Sequence, residues 1–465
     1  MTTSDRIRGL AHRAAAGAPG WIKKAAKALL PVRGSSAVRL DSWSSPLIPG
    51  AAASPLRLPA PAVESSAWVP TRTEPGDGRA VRCLLVTDSL DASGMDEFVA
   101  FLARGLRAAG WDVKVLVAGS DPGDDIGRLG RALAAEGIQT EKHGSLSGAH
   151  WIAQWRPDVV DSHGAALWPL RAARLAGSAA VVTLHGIHNI MGKTPHEMRS
   201  RREDVNGFIA VSEMVRAEYL SGDPTLPPHR VVTIPNPVDP GRSRRFDRQA
   251  VRAALGLDEE FLFLSLARHS LQKNAFALVS AFGEIAHLHE KTHLLICGRV
   301  DDPSYTLQVL ALRDRLGLRG RIHLRGNLGD ADALLWAADA FVLDSFFEGW
   351  ALGSMEALGT GLPVILSDVG GAREQLTDGP ARGVLIPNPL GRPVGVTWPK
   401  ISQAAYRRQA NRPDLVAAMR GVAEGSLVFA DRAVIADHCR ARFSAADCLA
   451  AHQATLLSFA GERVA

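Results

Sequence analysis

The chain runs to 465 residues, 46% apolar and 22% charged, with a formal net charge of +5. The length exceeds one ordinary domain, the composition is that of a globular protein, and the lack of any apolar run of eighteen residues excludes a membrane-spanning helix. The charge is lopsided: residues 1–40 hold eight Lys/Arg against the single acid Asp5, so that segment carries +7 and the rest of the chain −2. A basic, nucleic-acid-binding body is thereby excluded.

In chain order, the first feature is WIKKAAKALL (21–30). Trp21, Ile22, Ala25 and Leu29 share one helical face, with Lys23, Lys24 and Lys27 largely off it. Such a helix would lie on an anionic membrane surface as a peripheral contact; an unstructured Ala/Arg-rich extension fits the same residues. The apolar stretches here are short and broken by lysines, so no secretory signal is expected. Residues 41–75 carry seven prolines and read as a disordered linker. Order is expected from about Val81. Cys83, Cys297, Cys439 and Cys448 have no metal-ligand spacing; Cys83 and Cys297, in predicted buried strands, read as core residues, and a reducing cytoplasm fits, at the inner face of the membrane if the tail binds there.

Beyond the linker, VRCLLVTD, WDVKVLVA, DVVDSH, AVVTLH, GFIAVS and RVVTIPN are predicted strands separated by helices. The first helix, EFVAFLARGLRAAG, puts Phe98, Phe101, Leu102 and Leu106 on one face and stops at Gly110. After a polar break at 236–249 the pattern restarts with FLFLSLAR, HLLICGR, RIHLRG, FVLDS, PVILS and GVLIP. Strand–helix alternation with continuously apolar strands predicts an α/β fold of two parallel, doubly wound sheets. The expected division is 1–78 (tail and linker), 79–245 (first Rossmann-like domain), 246–430 (second) and 431–465 (C-terminal helices).

The chemistry concentrates in FFEGWALGSMEALGTGLPVILSDVGGAREQL (346–376). It reads as a loop bearing Glu348, a helix opening near Ala351 and bearing Glu356, a strand, then a Gly-Gly turn. Free N–H groups at the helix start would hold a diphosphate, with Gly349, Trp350, Ala351 and Leu352 around it. Glu356, one turn in, can accept two hydrogen bonds from ribose hydroxyls, and Glu348 can hold the hydroxyls of another sugar. Phosphates between two sets of hydroxyls describe a nucleotide sugar.

The run EGWALGSMEALGTGLPV, followed by GGAREQ, resembles the paired-glutamate signature of family-4 glycosyltransferases, retaining enzymes of the GT-B fold. The resemblance implies two Rossmann-like domains facing a cleft, the first presenting the acceptor and the second the nucleotide-sugar donor, with the last helix (ADCLAAHQATLLSFA, 446–460) crossing back to the first. It implies that Arg268 and Lys273, in LARHSLQK, neutralise the diphosphate, and that Asn274 stands where glycine is usual. It places His185 beside the donor sugar, by its ring and its carbonyl. Gly94, in Ser93-Gly94-Met95, matches a loop that approaches the phosphate, though an ordinary turn residue fits it equally. RGNLGD (325–330) falls where relatives seat the base, and Ser212-Glu213 reads as a helix cap. The implied reaction moves a sugar to a glycan, lipid-linked or small-molecule acceptor without metal or cofactor. A phosphorylase or epimerase of the same fold, or an inactive nucleotide- or glycan-binding scaffold, shares these features. GIHNIMGKT (186–194) is no P-loop, having five residues between its glycines where four are required. Asp330-Ala331-Asp332 opens a helix, where acids favour the dipole, and His185 and His188 lack partners at zinc-ligand spacing.

Overall fold

Apolar strands alternating with helices build two sheets, each buried on both faces. In the first lie β1 (Arg82–Thr87), β2 (Asp112–Val117), β3 (Gln139–Lys142), β4 (Val159–Ser162), β5 (Ala179–Leu184), β6 (Gly207–Ala210) and β7 (Val231–Thr233). In the second lie β8 (Phe261–Leu266), β9 (Thr292–Cys297), β10 (Ile322–Arg325), β11 (Ala340–Leu343), β12 (Val364–Ser367) and β13 (Gly383–Ile386). The structure, a computed structural model, describes residues 58–62 and 78–461 except 92, 120–124, 165, 243, 327, 329 and 393–394. The segment 21–30 lies outside the described residues. Of the proline-rich stretch, residues 58–62 are described, and Ala62 N–H donates to the Arg245 carbonyl at 2.6 Å. Among the described residues no helix is long and apolar enough to cross a membrane.

The strand orders are β3-β2-β1-β4-β5-β6-β7 and β10-β9-β8-β11-β12-β13, with every pairing parallel. Both orders reverse beside their first strand, and at such a switch point a crevice opens beyond the carboxyl ends of the strands. Cys83, Leu84 and Leu85 of β1 are wholly buried, as a strand covered by helices on both sides requires. The helix Gly94–Ala108 buries the expected Phe98, Phe101, Leu102 and Leu106. One strand escapes the apolar pattern. The residues of β3, Gln-Thr-Glu-Lys, pair only with β2 at the sheet edge, and Thr140 alone is buried.

The chain's end divides differently from the expected 431–465 unit. The helix Arg432–Arg442 packs on Leu352–Gly359 of the second domain, and only Ala445–Gly461 lies against β4, β5 and the helix Gly94–Ala108 of the first. The crossing falls at Phe443, whose carbonyl accepts from Val238 N–H of the interdomain segment at 2.9 Å. Docking of the last helix depends on one bare position. A Cβ on Gly207 would meet Phe459 Cζ at 2.0 Å. Gly207→Ala is expected to destabilise the protein by about 1–3 kcal/mol through overpacking, seen as a lower Tm, with Phe459→Leu in the same chain recovering part of the loss.

Candidate active site

The carboxyl ends of the two sheets face each other, and the motif residues collect there. The loop after β11 leads into the helix Leu352–Gly359, with Ala351 at its N-cap and no side chain capping it. Its first-turn N–H groups therefore point into the cleft unclaimed by a cap. Gln272 and Asn388 hold the loop. Phe346 N–H donates to the Gln272 carbonyl at 3.0 Å, Gln272 Nε2 donates to the Phe347 carbonyl at 2.9 Å, and Asn388 Nδ2 donates to the Phe346 carbonyl at 3.0 Å. So braced, Glu348 meets Lys273 Nζ at 2.6 Å, their side chains only 9% and 14% exposed.

Lys273 is positioned by the turn after β8. Asn274 has φ +56°, the left-handed region that glycine enters freely and asparagine more readily than most other residues. Its side chain does further service inside the domain. Asn274 Nδ2 donates to Asp344 Oδ2 at 2.9 Å and to Gln409 Oε1 at 2.7 Å, and Asn411 Nδ2 donates to Asp344 Oδ1 at 2.7 Å. Burial pushes the Asp344 carboxyl up to about 7, against the pull of these amides. Arg268, at the end of β8, is paired with Asp301 and donates to Gln272 Oε1 at 3.2 Å.

Glu356 lies one turn into the helix, beside an interdomain pocket that Glu97, Phe98, Arg242 and Leu352 help to line. Arg242, from the interdomain segment, contacts it through Nε at 2.9 Å and Nη2 at 2.6 Å, both to Oε1, and reaches Glu97 of the first domain at 2.7 Å. Coulombic attraction to Glu356, above all, raises the Arg242 pKa.

The first domain supplies the opposite wall. A Cβ on Gly349 would lie 2.1 Å from the His185 carbonyl oxygen, so the two backbones are in direct contact across the cleft. A Cβ on Gly94 would lie 3.3 Å from Leu352 Cδ1. Ser212 caps its helix as expected, accepting from Val215 N–H at 3.3 Å, while Glu213 N–H donates to Glu374 Oε1 of the GGAREQ turn at 3.0 Å. Burial drives His185 well below the usual histidine value.

The sequence-predicted residues thus converge, with one qualification. Trp350 is 5% exposed, and its indole stands edge-on to Phe443 at 5.3 Å. The side chain belongs to the core, so any contact from this position to a ligand in the cleft is through its backbone. Two neighbours carry no signal in the sequence. His188 sets its ring edge-on to Phe347 at 4.8 Å and lies within electrostatic reach of Glu348; in the sequence its stretch offers only the rejected phosphate-loop and zinc readings. Arg242 sits in the polar break, where nothing local marks it. The Asp330/Asp332 pair is taken up by Arg244, at 3.0 and 2.7 Å.

Comparisons with known proteins match both halves of the chain. Residues 92–242 match the model described as Glycosyltransferase Family 4, and residues 247–391 the one described as Glycosyl transferases group 1. Between them these cover well over half of the chain, and it belongs to this GT-B glycosyltransferase family. Among curated relatives, it is 27% identical over 252 residues to D-inositol 3-phosphate glycosyltransferase of Segniliparus rotundus, covering 50% of this chain and 55% of that protein. It is 32% identical over 187 residues to alpha-maltose-1-phosphate synthase of Mycobacterium tuberculosis, covering 37% and 46%. The chain thus spans about half the length of the curated relatives it matches. Among solved structures, HepE of Anabaena in complex with UDP and glucose superposes with a TM-score of 0.61 at 17% identity, covering 81% of this chain and 100% of that one. WaaG, a glycosyltransferase involved in lipopolysaccharide biosynthesis, gives 0.53 at 16% identity, covering 82% and 98%.

Proposed function

We propose that the protein transfers a sugar from a nucleotide-sugar donor to a hydroxyl of a glycan or lipid-linked acceptor, with retention and without a metal ion. The observation that carries this reading is the Lys273–Glu348 pair at the uncapped start of Leu352–Gly359, set against the His185 backbone across the cleft. In this reading the first-turn N–H groups, Arg268 and Lys273 stabilise the diphosphate, Glu356 accepts from the ribose, and Glu348 accepts from the sugar. The acceptor oxygen bonds to C1 as the bond from C1 to the diphosphate oxygen breaks. The acceptor proton passes to that leaving oxygen on the same face of the sugar. Fixed charges and positioning then supply the catalysis, and no protein nucleophile is required.

The test is turnover with a panel of UDP-, GDP- and ADP-sugars, beginning with UDP-glucose, in the presence and absence of a chelator. Acceptor-dependent release of nucleoside diphosphate, unchanged by chelation, is the expected result. Activity lost to the chelator and restored by Mg²⁺ would overturn the cationic account. For Glu356, both contacts with Arg242 use Oε1, and in this reading a ribose hydroxyl donates to Oε2. Glu356→Ala is expected to weaken nucleoside diphosphate binding by about 1.5–3 kcal/mol, the range for a charge-assisted hydrogen bond. Unchanged affinity by calorimetry in a folded variant would remove Glu356 from that role.

A further inference from the structure

Beneath His185 lies a polar chain inside the first domain. His163 Nδ1 is 2.8 Å from His185 Nε2, and His163 Nε2 is 3.3 Å from Asp161 Oδ2, both side chains fully buried. Thr183 Oγ1 donates to the Asp161 oxygens at 2.8 and 3.1 Å. The residues stand at the carboxyl ends of the neighbouring strands β4 and β5, so the parallel register itself brings them together. The C-terminal crossing helix closes the group from above. Its His452 is wholly buried, with the ring 5.5 Å from Phe98, and Phe98 in turn stands edge-on to His185 at 5.4 Å.

We infer that His163, held by Asp161, is a positioning residue that fixes His185 as the tautomer protonated on Nε2, leaving its Nδ1 as a hydrogen-bond acceptor for a donor-sugar hydroxyl. This deepens the proposed function and rests on it for the identity of the ligand, though not for the tautomer. The protons are assigned from the fixed end of the chain. Asp161 is ionised: although burial opposes it, His163 and Thr183 hold its carboxyl below the usual range. The Asp161 carboxylate repels a lone pair, so a neutral His163 ring keeps its protonated Nε2 toward it, 3.3 Å away, and presents Nδ1 as a lone pair. His185 Nε2–H then donates to that lone pair. A histidine's second nitrogen commonly sets which of its nitrogens is free in this way. His452 does not compete for the carboxylate, because burial lowers it to about 4 and keeps it neutral near pH 7. Another ionisable neighbour, the Cys83 thiol of β1, is pushed up by burial and by Asp161 and stays protonated.

The test reads the tautomer directly, by ¹⁵N chemical shifts of the histidine rings in the full chain, and reads turnover separately. In the native protein His185 is expected to carry its proton on Nε2. Asp161→Asn can turn its amide N–H toward His163 Nε2, with the amide oxygen kept on Thr183. That makes His163 protonated on Nδ1 and moves the His185 proton to Nδ1. His163→Phe is expected to lower kcat/KM about ten- to a hundredfold, as when the partner that orients a functional histidine is removed. His163→Asn, whose Oδ1 can accept from His185 Nε2–H, is expected to recover most of that loss, which a purely space-filling role would not predict. Should His163→Phe fail to fold, the Asp161→Asn spectrum alone decides. A His185 proton on Nδ1 in the native protein, or the same His185 tautomer in native and Asp161→Asn chains, would overturn the inference. A correct tautomer in a protein without turnover on any donor would instead sink the proposed function and leave the relay standing.

Discussion

Lys273→Ala is expected to lower kcat about 10²–10³-fold, the usual loss when one fixed stabiliser of transition-state charge is removed. The same change also strands Glu348, a carboxylate only 9% exposed whose cation lies 2.6 Å away. Breaking a buried pair from one side costs on the order of 3–5 kcal/mol, so the variant should also melt earlier. The two effects separate in a double variant. Lys273→Met with Glu348→Gln removes the unpaired charge and restores most of the Tm, yet it leaves the diphosphate without its cation, so turnover stays low. A double variant that regained turnover along with stability would show that Lys273 matters to the fold alone. Arg268→Ala should show the catalytic loss with a smaller stability change, because its side chain is 36% exposed and its partner Asp301 keeps a second cation, Arg299.

Much of this site is legible in the sequence because its parts are local. Glu348 and Glu356 belong to one strand–loop–helix unit, and Arg268 and Lys273 to another, so each pair is placed by a single turn. Twelve of the strands are legible from their apolar runs, which are longest where helices cover the strand on both faces, as in β1 and β5. The strand β3 is hidden because its residues, Gln-Thr-Glu-Lys, are all polar and only Thr140 is buried, whereas the other edge strands β7, β10 and β13 keep apolar residues. The remaining gaps arise where function depends on contacts between distant segments. Arg242 reaches Glu356 from 114 residues away, across the domain junction. His452 comes within electrostatic reach of His163 only because the chain crosses back at Phe443. Trp350 shows the opposite error: its place inside the motif suggests a ligand contact, but the turn sends its indole into the core, against Gly371 and Phe443.

Gly349→Ala is expected to be nearly as damaging to turnover as loss of Lys273, by a different route. The added methyl would lie 2.1 Å from the His185 carbonyl oxygen, 2.5 Å from its carbon and 2.9 Å from Gly186 N. All three are backbone atoms at the end of β5, so no side-chain rotation relieves the overlap, and either the loop or the domain pairing must shift. The loop is held by Gln272 and Asn388, whereas an interdomain link such as Glu213 N–H to Glu374 Oε1 is exposed. The domains should therefore part by about an ångström. A displacement of that size between reacting groups can cost about 10²-fold in rate. Each sheet's core is untouched, so the Tm should change little while kcat/KM falls. Nucleoside diphosphate, held in the proposed reading by the second domain alone, should bind with near-native affinity, and the intact donor more weakly. Solution scattering would report a more open molecule. Native kcat/KM in this variant would mean that the contact between Gly349 and His185 is not part of the working arrangement.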